Sequence, residues 1–274
     1  MSSEERAALQ RKPGDDAVVA IASAVAYGNV GLRATVAGLH ALRRRAIELP
    51  TVVLSNHPGM GRPAGLRLPA LELGAMMDAL DRLGVLDRAA AVMTGYFASA
   101  DQVLVVADRL ARLKDRRADL IVLVDPVIGD EEGGLYVGEP VAAAIRDRLL
   151  PIASIATPNL FELGWLSSRT IASDQDAVAA ALALPVPETV ATSAAASELE
   201  IVTMAIARGT VARWASPRRA AVPHGTGDLL AGLYLGHRLS GADAGSSLAG
   251  AMRLLETVVE RSAGRAVLDL EIPC

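Results

Sequence analysis

The chain has 274 residues, is 51% hydrophobic and carries a formal net charge of -4. That is enough apolar material for one large α/β domain, with no basic tail or stripe to suit nucleic acid. The only cysteine is Cys274, which excludes an intrachain disulfide, and lysine occurs only at Lys12 and Lys114; with GxxxxGK[ST], HExxH and paired CxxC motifs also missing, a Walker A site, lysine Schiff-base chemistry and a zinc site are poor readings.

Residues 1–16 are charged and hold no apolar signal core, so they read as an N-terminal extension, with 17–274 as a single domain. No apolar stretch approaches the ~18 residues of a membrane helix, which points to a cytoplasmic protein without a membrane partner. The first strand candidate is "AVVAIAS" (17–23). The run Arg43–Arg45 reads as a solvated helix end. Further candidates are "TVVLS" (51–55), "AAVMT" (90–94), "DLIVLVD" (119–125), "IASIAT" (152–157) and "ETVATS" (188–193). A helix is predicted over Ser99–Lys114: Ser99 and Gln102 have capping-box spacing, and Val103, Val106, Ala107, Leu110 and Leu113 share one face. "EIVTMAIAR" (200–208) and "TVARWA" (210–215) read as a hairpin turning at Gly209. Unbroken apolar strands separated by amphipathic helices imply a mainly parallel sheet covered on both faces. Ligands of such sheets bind beyond the carboxyl ends of the strands, so the residues just after each strand carry the functional reading.

Each of those segments has two readings. After the first strand, Ser23 with Gly28 and Gly31 is either an ordinary turn or a ligand-facing loop. "SNHPGMGRPAG" (55–65), with His57 at the strand end, is either a surface loop or a lid. Tyr96 either packs in the core or presents its ring and hydroxyl to a ligand. Asp125 either opens a turn or acts on metal or phosphate. Asn159 and Glu162 have the spacing of an N-cap and its reciprocal partner, and Glu162 could also help hold a hydrated Mg²⁺. "HGTGD" (224–228) opens the helix "LLAGLYLGHRL". Its glycines let backbone N–H groups approach an anion, and the helix start adds about half a positive charge. That charge should also keep the Asp228 carboxylate ionised near neutral pH.

Taken together and in order, "SNH" with its Gly-rich loop, "TGYFASADQ", "DPVIGDEEGGLYV", "TPNLFEL" and "GTGDLLAG" resemble the ribokinase-like kinases of small hydroxymethyl compounds, most closely the pyridoxal kinases. The resemblance runs from about Ser23 to Gly250. It implies a three-layer α/β/α sandwich, ATP and Mg²⁺ dependence, a homodimer, and phosphorylation of pyridoxal at its 5′-hydroxymethyl. By motif match, Asp228 is the catalytic base, and Gly225, Thr226 and Gly227 form the anion hole. Asp125, Thr157, Asn159, Glu162 and Thr192 face the nucleotide, with Asp125 and Glu162 holding the metal through water. Ser23, His57, Pro58, Gly59 and Tyr96 surround the acceptor together with Asp228.

The chain departs from the family pattern in its acceptor region. Pro58 replaces a hydroxyl residue, Met60 an aromatic, Leu32 an Asn, Ala24 a polar residue, and the loop's Trp is gone. These changes predict weaker ring stacking and a raised KM for pyridoxal. Rival readings are a hydroxymethylpyrimidine kinase, a sugar kinase of the same fold, and a nucleotide-binding regulator that has lost catalysis. Some hydroxymethylpyrimidine kinases carry Cys where Asp228 stands here, and an intact Asp228 argues against the regulator.

Overall fold

The computed structural model describes residues 17–196 and 199–272, so the extension 1–16 and Cys274 lie outside the described residues. Strand β1 (Val18–Tyr27) leads into helix α1 (Leu32–Ala41). Strand β2 (Ala46–Asn56) folds back on the short β3 (Gly65–Arg67), and α2 (Ala70–Arg82) and the single turn α3 (Val85–Arg88) follow. Next come β4 (Ala91–Thr94), α4 (Ala100–Arg116) and β5 (Ile121–Val124). Beyond β5 lies a small ribbon of β6 (Gly129–Asp130) and β7 (Gly134–Leu135), then α5 (Glu139–Ala144). β8 (Ile155–Ala156), α6 (Leu160–Ser167), α7 (Asp174–Ala183) and β9 (Glu188–Ala196) precede the hairpin of β10 (Glu200–Ala207) and β11 (Thr210–Pro217). Helices α8 (Thr226–Leu239) and α9 (Ala244–Arg261) come last.

Nine strands form one sheet in the order β11-β10-β9-β8-β5-β4-β1-β2-β3. Pairing is parallel from β9 to β2 and antiparallel only at the two edges. The period-two geometry of a strand divides the apolar runs between two cores. Val19 and Ile21 of β1, Val92 of β4 and Val122 and Val124 of β5 pack against α2, α4, α6 and α7. Val18, Ala20, Ala91, Met93 and Leu123 face the other way, against α1, α8 and α9. Each half of a strand thus finds its own helical layer, which is why these strands read as unbroken apolar runs. Helix α8 is buried nearly all round, from Leu229 to Gly236, because it lies between α1, α9 and the sheet.

Several boundaries differ from the sequence reading. The run 152–157 narrows to Ile155–Ala156, since Ile152 closes a short helical turn begun at Leu150. Strand β2 starts at Ala46 rather than 51 and carries Pro50 inside it. Pro50 has no N–H, and the β1–β2 register shifts beside it, from Ala22↔Pro50 to Ser23↔Val52. The Arg43–Arg45 run is not simply solvated, because the Arg44 guanidinium donates to Leu239 O and Ser240 Oγ at the end of α8. Ser99 caps α4 as expected, but the Gln102 carbonyl accepts the N–H of Ala98, while its amide donates to Thr51 O and Leu68 O. That one buried side chain ties α4 to β2 and to the entry of α2.

Candidate active site

The central parallel strands end on one edge, and the candidate residues gather there. The register of β1 against β2 shifts between Ala22 and Ser23, where β2 carries Thr51 as an extra residue, and Ser23 lies beyond that shift. Gly31, at φ 56°, sits against it: a Cβ there would meet Ser23 O and Oγ at 2.3 Å. Glycine therefore lets the Gly31 N–H reach an oxygen of Asp228, 2.9 Å away. Gly225 caps α8 at φ 105°, and a Cβ there would lie 2.2 Å from Asn29 O. The first helical bond of α8 runs from Leu229 N–H to Gly225 O. The N–H groups of Thr226, Gly227 and Asp228 consequently have no helical carbonyl, and no side chain caps them. This is an anion cradle with a carboxylate at its edge.

Three acids cluster beside it. Burial lifts Asp228 to about 6, against the Gly31 N–H, which favours its anion. It is thus still mostly ionised at neutral pH, but burial rather than the helix dipole dominates its titration. Burial, then the charges of Asp228 and Glu162, push Asp125 well above the usual carboxylate range, while the Thr157 hydroxyl donates to it at 2.9 Å. Burial lifts Glu162 to about 7 even though its carboxylate accepts N–H bonds from Asn159, Ile128 and Gly129. Asn159 and Glu162 complete a reciprocal capping box at the start of α6, and Asn159 Nδ2 donates to Gly129 O. Glu162 therefore caps its helix and at the same time pins the loop between β5 and β6. No group of three or more His, Cys, Asp or Glu residues poised to hold a metal directly occurs among the described residues.

Two cavities are lined in part by the start of α8. The first, about 430 Å³, is lined by Ser23, His57, Pro58, Gly59, Tyr96 and Asp228, which the sequence reading assigned to the acceptor, and by Gly225. The second, about 280 Å³, is lined by Thr192, Thr226 and Gly227 together with β10, β11 and α9. Asp125, Thr157, Asn159 and Glu162 form their connected cluster next to Asp228 but line neither cavity. Tyr96 packs on the core and also lines the first cavity.

Other lining residues were not singled out from the sequence. His224 lies with its ring 4.4 Å from that of His57, tilted by 33°. Burial, and then His224, lower the pKa of His57, whose Nδ1 accepts the Gly59 N–H; its proton accordingly sits on Nε2. Asp130 and Tyr136 come from the β6–β7 ribbon, where the Tyr136 hydroxyl donates to Asp130 at 2.5 Å. The signals were present, because His224 precedes GTGD and the other two fall within DPVIGDEEGGLYV. Val127 in that loop holds φ 45°, an uncommon value for a β-branched residue and one associated with functional loops. Met60, expected to have lost an aromatic contact, is exposed outside the cavity, so it is the tilted imidazoles and Pro58 that face the space. Leu32 is buried core and does not face it either. The loop 55–65 is an ordered turn: Pro58–Met60 form a short helix, Ser55 Oγ accepts the Ala64 N–H, and β3 closes the hairpin.

The family model described as phosphomethylpyrimidine kinase matches residues 78–267. A pyridoxal kinase of Corynebacterium diphtheriae is 31% identical over 239 residues, covering 85% of this chain and 84% of its own. A pyridoxine/pyridoxal/pyridoxamine kinase of Bordetella avium is 36% identical over 231 residues, covering 82% and 78%. Among solved structures, the pyridoxal kinase of Leishmania donovani in complex with ADP and pyridoxamine is 28% identical, with a TM-score of 0.85 over 93% of each chain. That of Entamoeba histolytica is 25% identical, with a TM-score of 0.87 over 93% and 92%. No helix among the described residues is long and apolar enough to cross a membrane.

Proposed function

The chain belongs to the phosphomethylpyrimidine kinase family and, through relatives more than 30% identical over most of its length, to the pyridoxal kinases; from that premise we propose that it transfers the γ-phosphoryl group of ATP to the 5′-hydroxymethyl of pyridoxal, giving pyridoxal 5′-phosphate. One observation carries the reading: both cavities are lined by the start of α8, the first by Gly225 and Asp228 and the second by Thr226 and Gly227. An acceptor alcohol in one cavity and a nucleotide in the other would bring hydroxyl and γ-phosphorus together at that point. The N–H groups of Thr226, Gly227 and Asp228 and the helix dipole then stabilise charge on the transferring oxygens. Asp228 takes the hydroxyl proton. A carboxylate near pKa 6 is basic enough, since in a loose phosphoryl-transfer transition state that proton leaves late.

Burial and the charges of Asp228 and Glu162 raise Asp125, a repulsion that a divalent cation would relieve, and Mg²⁺ is the ion proposed. Asp125 and Glu162 would hold it. Glu162 would act through water, because both its oxygens already accept backbone N–H groups. Bound Mg²⁺ would neutralise charge on the phosphates. Residues 17–274 then act as one kinase domain, in the cytoplasm and as a homodimer.

A second acceptor, hydroxymethylpyrimidine, is favoured by one observation: the family model that matches residues 78–267 is described as phosphomethylpyrimidine kinase. The test is ADP release from ATP and Mg²⁺ with pyridoxal, pyridoxine, pyridoxamine, hydroxymethylpyrimidine or ribose. Pyridoxal is expected to give the highest kcat/KM, and turnover confined to hydroxymethylpyrimidine or ribose would overturn the assignment.

A further inference from the structure

The second cavity runs from the start of α8 to a wall built by β11 and α9. Met252 and Leu255 of that wall, with Ile201 of β10, Leu230 of α8 and Val222, make most of the lining apolar, which suits the faces of a flat base. Glu256 of α9 interrupts it. Its Oε1 accepts two hydrogen bonds, from Trp214 Nε1 at 2.8 Å and from Ser216 Oγ at 2.6 Å. The Trp214 ring is in turn covered by the Arg253 guanidinium, 5.6 Å from its centroid. The carboxylate is therefore held in one orientation, with Oε1 turned to β11 and Oε2 accepting no hydrogen bond among the described residues. The other charged residue on this cavity, Arg219, is paired with Glu260 at 2.6 Å and does not reach over to Glu256.

We propose that Glu256 selects the base of the donor nucleotide: Oε2 accepts a hydrogen bond from the exocyclic amine of a 6-aminopurine and rejects a 6-oxopurine. The inference rests on reading this cavity as the nucleotide site. A 6-oxo group would set two acceptors against each other, and an acceptor left unmatched in a desolvated site discriminates strongly. The fixed Oε1 sharpens the idea. In Glu256→Gln the carbonyl must stay with Trp214, because the indole N–H can only donate, and the Ser216 hydroxyl follows it. The amide NH₂ then takes the place of Oε2 and offers a donor where the wild type offers an acceptor.

The experiment compares ATP with ITP, which differs at the 6-position and the adjacent ring nitrogen. Dissociation constants are measured calorimetrically without acceptor, and kcat/KM with pyridoxal. The wild type is expected to favour ATP by about tenfold or more. Glu256→Gln should lower that ratio at least about tenfold, to parity or inversion, with its melting temperature checked alongside. Should it not fold, Ser216→Ala releases one anchor of the carboxylate and should reduce the ratio by about threefold. A wild type indifferent to the base, or a ratio unmoved by either substitution, overturns the role of Glu256. Nucleotide selection without turnover on pyridoxal would sink only the acceptor assignment. Failure to bind either nucleotide would sink the nucleotide reading of the cavity, and this inference with it.

Discussion

Asp228→Asn should cost activity and gain stability at the same time. The substitution keeps the side chain's shape, and an Asn oxygen can still accept the Gly31 N–H. It removes the base, so turnover should fall by ~10²–10⁴-fold. Stability follows from the direction of the shift. Asp228 has a folded pKa of about 6, above its ordinary 3.8, so the folded state holds the proton more tightly and ionisation weakens folding. That penalty is absent below pH 3.8, grows between there and about 6, and is complete above. A two-unit rise corresponds to about 3 kcal/mol, and solvent in the cavity reduces this to on the order of 1–2 kcal/mol. For a chain of this size that raises the melting temperature by a few degrees, at about 2–4 °C per kcal/mol. Thermal melts at pH 8 and pH 4 read the stability, and ADP release reads the chemistry. The gain should be present at pH 8 and gone near pH 4. The wild-type kcat/KM should also fall about tenfold per unit as pH drops below about 6. A variant less stable than wild type at pH 8 would refute the burial argument, and near-normal turnover would refute the assignment of the base.

Glu162→Gln leaves one amide oxygen to meet N–H groups that two carboxylate oxygens now accept, so stability should fall by about 1–3 kcal/mol in denaturant melts. If Glu162 also holds hydrated Mg²⁺, the concentration for half-maximal activity rises several-fold; an unchanged Mg²⁺ titration would leave it the capping role alone. Gly225→Ala must displace Asn29 O from 2.2 Å and hold φ 105°, which should spoil the anion cradle and cut kcat by ~10²-fold. Ordinary steady-state turnover in that variant would show that the cradle does not act. His224→Ala removes one of the two rings facing the acceptor, so KM for pyridoxal should rise by up to about tenfold with kcat kept. A change in kcat without a change in KM would place His224 in the chemistry instead.

The parallel sheet and the α8 cradle were legible in the chain because their signals are local. Val18–Ala22, Ala91–Met93 and Ile121–Val124 are apolar at every position, as strands covered on both faces must be. Gly225 to Asp228 announce a helix start by conformation alone. What stayed hidden depends on partners distant in sequence. The second strand was read from Thr51, and its start at Ala46 with Pro50 inside it depends on pairing with β1, where the register shifts. Arg44 looked solvated because its carbonyl partner lies 195 positions away. The raised pKa of Asp228 could not be read from a helix dipole, since burial is a property of the packed edge and works against that dipole.

The same distinction explains which half of the site was readable. The machinery proposed around the transferring group is made of short motifs that act through the backbone, so residue type and spacing are enough to mark it. The surfaces that choose the ligands are assembled from single side chains on separate elements. His57 and His224 meet at 4.4 Å from loops 167 positions apart, and Glu256 of α9 is aimed by Trp214 and Ser216 of β11. Specificity is a difference of affinities set by such pairings, in which one reoriented donor or acceptor is worth about tenfold. Reaction class can accordingly be inherited through the motifs while base and acceptor preference vary with residues that no local pattern marks. That is why the Glu256 and His224 substitutions should move ratios and KM values, whereas Asp228 and Gly225 should move kcat.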